Sequence, residues 1–364
     1  MDMSKIFLKG ACPTPIGGQA VMEGIMMRGL DRTAIAVRLP DGRIHLKTQK
    51  NGRSSKWMKI PLVRGVVSFV MSLVEGTRTL TYSADVLEYF MDDDEDENYE
   101  PSRFEKWLTE HFGEQAIWNF MIAVSVIVAL VFSIAVFVLL PTAGIGWMGK
   151  FIHSSIALNL IEGFLRIAMF VLYIVLISRM KDIRRVFEYH GAEHKTIHCF
   201  ENNLALTPEN ARQFYTLHPR CGTSFLMFVM VISLILFSLL GWPSLMWRIL
   251  SRLLLIPVVA GLSYELLKWA GRSDNWLVEA LSIPGLYLQK LTTREPDDSQ
   301  LEVAITSLKA VLVPEDTECI EGIVDLDANL IETVTIDRNK DKESVEKEEE
   351  KETDLNGRDD LEVF

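Results

Sequence analysis

Ile117–Leu140 reads IWNFMIAVSVIVALVFSIAVFVLL, with no charged residue. At ~1.5 Å of rise per residue, a helix of this length covers the ~30 Å hydrocarbon core of a bilayer. A helix apolar on every side has no face to offer water. The segment therefore predicts a membrane span, and a mainly α, polytopic membrane protein with about four transmembrane helices.

Working outward, further apolar runs predict spans at about 156–178, 223–247 and 253–271. Glu162 and Arg166 interrupt the second at i, i+4 spacing, so they share a helix face and can pair as a bundle contact. Glu265 and Lys268 interrupt the fourth. An isolated charge in lipid costs at least ~2.5 kcal/mol on insertion scales, so Glu265 is expected to face protein or water. Apolar residues make up 49% of the chain, in keeping with several spans.

The loop 179–222 holds seven lysines and arginines, and the 1–60 arm is also basic. The positive-inside rule then puts this loop and both termini in the cytoplasm of a multi-pass cell-membrane protein. Arg248 and Arg252, in the turn expected between spans three and four, run against that bias. Cys12, Cys199, Cys221 and Cys319 show no C-x-x-C pairing, so reduced thiols are expected rather than a disulfide framework. MDMSKIFLKG lacks an apolar core, so no cleaved signal peptide is expected.

The remaining segments flank this bundle. In the N-terminal arm, TAIAVRL and RIHLKT around Pro40-Asp41-Gly42 predict a β-hairpin. Residues 61–91 predict an amphipathic helix at the membrane interface. The formal charge of -12 lies in two places, an acidic linker at 92–101 and an acidic tail within 316–364 expected to be largely disordered. It therefore carries no message about a ligand of the core. Residues 273–315 predict interfacial and amphipathic helices, the last capped by Asp298. Basic residues follow the membrane boundaries without interleaved aromatics, which excludes nucleic acid as the expected partner. The partners expected are membrane lipid and a cytoplasmic or membrane protein; the oligomeric state is not legible.

Two motifs carry chemistry. Glu188–Glu201 reads EYHGAEHKTIHCFE, and His218–Gly222 reads HPRCG. On a helix, His190, His194 and His198 fall within about 80° of one another. A metal can bridge an i, i+4 histidine pair, whereas His190 and His198 are roughly 12 Å apart along the axis. A single site would therefore use His190/His194 or His194/His198. His190, Glu193 and His194 also spell H-x-x-E-H, the inverted zinc-hydrolase motif, in which the glutamate is the general base. His218, Cys221 or Glu265 would complete the ligands of a divalent ion, zinc first by donor type. Arg220 would orient an anionic group or meet a membrane surface. Cys221 beside His218 also fits a nucleophile. Glu23 and Arg28 read as structural.

With GGQAVMEGIMMRG, EYHGAEHKTIHCFE, HPRCGTSF and LTTREPDDSQLEVAI in view, the chain resembles the YqhQ-like family of bacterial membrane proteins, a domain of unknown function, over roughly residues 10–315. The resemblance implies a metal-dependent enzyme and bears on His190, Glu193, His194, His198, His218 and Cys221. It supplies no substrate. Two function classes stand at this point. One is a metal-dependent hydrolase-like enzyme with a site at the cytoplasmic face. The other is a non-catalytic membrane scaffold or lipid or transport factor with a structural metal or hydrogen-bonded histidine cluster.

Overall fold

A computed structural model describes residues 12, 14–52, 56–91, 113–148, 151–240, 244–270 and 276–336. The acidic linker, and the tail from 337 onward, lie outside these.

The N-terminal strands are β1 (Gly17–Val21), β2 (Gly24–Arg28), β3 (Arg32–Arg38) and β4 (Ile44–Lys50). The β3–β4 hairpin turns at Pro40-Asp41-Gly42, where Gly42 adopts φ +87°. The sheet is larger than the arm expected from sequence. β5 (Glu321–Val324) pairs with β4, and β6 (Leu330–Thr333) pairs with β5. All six strands form one antiparallel sheet in chain order. The expectation of disorder from 316 onward is thus corrected for 321–333. Short, mixed-composition strands like these gain their order from the ladder of β4, which no local pattern records.

Both faces of the sheet are covered, which explains why β2 and β3 are apolar at consecutive positions. Ile25, Met27, Ala34 and Ala36 face α5 (Lys181–Glu201) and α10 (Asp298–Val311). Met26, Ile35 and Val37 face Val86, Tyr82 and Leu87 of α1 (Val63–Tyr89). α10, expected from sequence as a short amphipathic helix, is a core helix of this sheet. Asp297, not Asp298, is its N-cap, in a capping box with Gln300.

The apolar part comprises α2 (Glu114–Ile134), continued through a π turn into α3 (Leu140–Met148), then α4 (Ser155–Ile177), α7 (Thr223–Leu239), α8 (Leu245–Ala270) and α9 (Trp276–Thr292). The small α6 (Pro208–Arg212) lies between α5 and α7. Among the described residues, three helical segments are long and apolar enough to cross a membrane: Phe120–Met148, Ser155–Ile177 and Met246–Trp269. Of the segment expected to span 223–247, α7 covers 223–239 and ends where the backbone turns extended at Leu240, and 245–247 already belong to α8. α8 begins eight residues before the expected 253. Arg248 and Arg252 are consequently helix residues, buried at 6% and 3% exposure, and not part of a loop.

Candidate metal centre

α5 is the structural axis of the site. One side of it packs into the lobe core through Tyr189, Ala192, Ile197 and Cys199. The other side presents the histidines to the segment 216–221 and to the end of α9. Gly191 permits this sandwich: a Cβ there would stand 2.0 Å from the Arg294 carbonyl oxygen. Its cost to helix propensity, ~1 kcal/mol relative to Ala, is offset by the close crossing it allows. That crossing puts the Thr292 carbonyl 2.8 Å from His190 Nδ1. The segment carrying His218 is fixed from α9. The Gln289 side chain accepts from the His218 backbone N–H and donates to its carbonyl, both at 2.9 Å.

Two groups of three potential ligands result, each with donor atoms within 4.8 Å of one another: His190, His194 and Cys221, and beside them His198, Glu201 and His218. The imidazoles form a continuous row, with ring centroids 4.5 Å apart for His190–His194, 5.7 Å for His194–His218 and 4.6 Å for His198–His218.

Hydrogen bonding separates the two groups. A carbonyl oxygen only accepts, so a ring nitrogen facing one carries the proton. His190 Nδ1 donates to Thr292, and His194 Nδ1 donates to the Thr216 carbonyl at 2.6 Å. In the neutral rings both Nε2 atoms are then lone pairs. His190 Nε2 lies 3.2 Å from Cys221 Sγ, and His194 Nε2 is buried without a hydrogen-bond partner. Ligating histidines in proteins are oriented in this way, by a carbonyl on the far nitrogen.

The second group is largely satisfied from within. His198 Nε2 donates to the Leu217 carbonyl at 2.9 Å. His218 Nδ1 accepts from the Arg220 N–H, which leaves its Nε2–H facing Glu201 at 3.5 Å. Glu201 also accepts from the Arg220 guanidinium and from the Thr14 N–H. With a guanidinium on its carboxylate and a proton on His218 Nε2, this group is the poorer host for a cation.

The electrostatics follow from this geometry. Burial alone would raise the Cys221 thiol, but the His194 and His190 imidazoles hold it well below the usual value. Burial would lower His190, but Cys221 outweighs it and brings the imidazole to about 9. Burial raises Glu193, against the pull of the two histidines. Burial and the neighbouring His218 push His198 down to about 3, and burial likewise lowers His218. Glu201, despite burial, is held low by His218, Thr14 and Arg220.

A cavity of about 270 Å³ opens against this face. Glu193, His194, His218, Arg220 and Cys221 line one side, and the strand entry 14–18 lines the other. Glu193 accepts from the Gly18 N–H at 2.9 Å.

Six of the eight residues singled out from sequence thus converge as donors or as the flanking carboxylate: His190, Glu193, His194, His198, His218 and Cys221. Arg220 is adjacent but committed to Glu201. Glu265 does not join them. It accepts from Arg64 Nε at 2.6 Å and from the Leu62 N–H at 3.3 Å, because the start of α1 lies against its part of α8. Glu201, Gln289 and the orienting carbonyls of Thr216 and Thr292 were missed. Glu201 lay on the histidine face by helical angle, and the carbonyls leave no trace in side-chain pattern.

The fold and site define a mainly helical protein with an N-terminal antiparallel sheet, apolar helices long enough to span a bilayer, and His/Cys/Glu groups able to hold a metal ion. A family model described as "Protein of unknown function (DUF1385)" matches residues 60–314, and the chain belongs to that family. It is 35% identical over 312 residues to the "Uncharacterized protein YqhQ" of Bacillus subtilis (strain 168), covering 84% of this chain and 94% of that protein. No solved structure matches.

Proposed function

We propose that this chain is a multi-pass membrane protein whose His190, His194 and Cys221 hold a divalent ion, zinc first, in a hydrolase-like centre on the cytoplasmic side. The observation that carries the reading is the buried, unpartnered His194 Nε2 beside Cys221, with both neighbouring Nδ1 atoms bound to carbonyls. Two imidazoles and a thiolate are a borderline-soft donor set that suits zinc. Three protein ligands beside a cavity leave a position for substrate, as catalytic rather than structural zinc sites do.

A divalent ion there supplies charge to polarise a substrate carbonyl or phosphoryl oxygen. Glu193, raised by burial and held in place by the Gly18 N–H, takes the proton from the attacking water. Arg220, at the cavity wall and anchored by Glu201, orients an anionic part of the substrate. Elemental analysis of detergent-purified protein tests the reading: about one zinc per chain is expected, with loss on His194→Ala. Absence of metal from the native protein refutes it.

A second reading keeps the same residues without a metal. Cys221 Sγ sits at the start of α7 and accepts from the Thr223 N–H at 3.4 Å and the Thr223 hydroxyl at 3.2 Å. A thiolate so placed beside His190 is a nucleophile. Stoichiometric alkylation of Cys221 in metal-free, fully functional protein favours this reading. In a non-catalytic scaffold or lipid factor, Glu193→Gln would be tolerated.

A further inference from the structure

A second concentration of charge lies within the apolar helices, away from the histidine face. Glu162 of α4 is 1% exposed. Its Oε1 accepts from Arg166 at 2.5 Å, from the Thr142 hydroxyl at 2.7 Å and from Arg252 of α8. Arg252 also donates to Asn159 Oδ1 at 3.1 Å, and Asn159 donates to the Leu240 carbonyl at 2.8 Å. Both guanidinium groups stand over the Phe237 ring, 5.4 Å and 5.6 Å from its centroid. Arg248 precedes Arg252 by one turn and approaches Gly146, one turn beyond Thr142.

Leu240 follows the end of α7, and Cys221 precedes its start. At ~1.5 Å per residue the two sites are about 25 Å apart. They share no residue.

The cluster is unbalanced. Arg166 and Arg252 use one carboxylate, and both bond the same oxygen of it, so the three groups leave one positive charge in excess. Retaining that charge among apolar helices is costly unless an anion joins it. Within the trio Arg166, Arg252 and Glu162, two buried polar atoms have no hydrogen-bond partner: Arg166 Nε, a donor, and Glu162 Oε2, an acceptor. A ligand that satisfies both must accept from guanidinium and donate a hydrogen; a water does both but leaves the excess charge uncompensated, so an anion that carries an O–H fits better. A halide accepts only, and a carboxylate carries no O–H.

We propose that Arg166, Arg252 and Glu162 form a binding site for a hydroxyl-bearing oxyanion, a phosphate group or a polyol phosphodiester headgroup. Planar guanidinium groups match phosphate oxygens in pairs. The Glu162 oxygen takes the hydroxyl. The lipid source, as against free phosphate, rests on reading these helices as membrane spans. Recovery of the chain in the membrane fraction tests that reading separately.

The test uses the full-length, delipidated protein in neutral detergent, with saturable binding and thermal shift as readouts. The probes are inorganic phosphate, and mixed micelles of phosphatidylglycerol or of zwitterionic phosphatidylcholine. Phosphatidylglycerol or phosphate is expected to bind and raise Tm; phosphatidylcholine is not. A response to phosphate alone identifies the free ion as the source, and a response to phosphatidylglycerol alone identifies the lipid. Arg166→Gln should weaken binding roughly tenfold or more, and Glu162→Gln, which removes the competing charge, should tighten it. No response from the native protein, or equal response to phosphatidylcholine, overturns the proposal without need of any variant. Cys221→Ser should leave this binding unchanged while altering metal content.

Discussion

Cys221 Sγ lies 3.2 Å from His190 Nε2, although the two residues are 31 positions apart and belong to different elements. The contact exists because α5 is pinned from two directions. Arg294 crosses at Gly191, and Gln289 fixes the backbone of His218. Each of these supports can be removed singly.

Cys221→Ser is expected to preserve the fold and to weaken zinc binding at least tenfold, since a serine hydroxyl is a harder and far less acidic donor than a thiol whose ionisation the His194 and His190 imidazoles favour. Competition with a chromogenic chelator reads the change. Unaltered affinity would remove Cys221 from the ligand set.

Glu265→Gln should leave metal content at the native level, because its carboxylate serves Arg64 and Leu62 rather than the histidines. Elemental analysis of this variant beside His194→Ala makes the contrast. Metal loss in both would mean that Glu265 reaches the centre after all.

Gly191→Ala inserts a methyl group 2.0 Å from the Arg294 carbonyl oxygen. Overpacking of this kind costs about 1–3 kcal/mol, and the displaced turn takes Thr292 away from His190. A lower Tm together with weaker zinc binding is the expected pair of outcomes. A neutral or stabilising effect, as for an ordinary helical glycine, would contradict the crossing.

His198 gives a pH signature in metal-stripped protein. Its folded value of about 3 lies below the ordinary 6.5, so the unfolded chain binds a proton that the folded chain refuses. Stability therefore falls as pH drops below 6.5 and keeps falling toward 3. At pH ~5 the loss from this one group is about 2 kcal/mol. His198→Gln should flatten that part of the profile in denaturant titrations between pH ~7 and ~5. Identical slopes in the two proteins would discount the burial of His198 as its cause.

Legibility from sequence varied with the range of the contacts involved. The β3–β4 hairpin was visible because alternation and Pro40-Asp41-Gly42 are local signals. The histidine face was visible because i, i+4 spacing is also local, and Glu201 lay on it. The pairing of β5 with β4 was not, since 274 positions separate Lys47 from its partner Glu321. Nor was the fate of Glu265, which depends on where α1 lies against α8. α10 looked amphipathic because polar residues such as Gln300, Thr306 and Ser307 punctuate it. All three are buried, and Ser307 bonds the Ala34 carbonyl across the lobe.

The sheet is ordered β1 to β6 in chain sequence, yet everything that resembles a membrane segment is threaded between its fourth and fifth strands. Strand pairing can be completed only after the last of those helices has left the ribosome. Closure of the sheet must therefore follow synthesis of all of those helices. The nascent protein passes through a stage in which β4 presents an open edge, and emergence of β5 ends it.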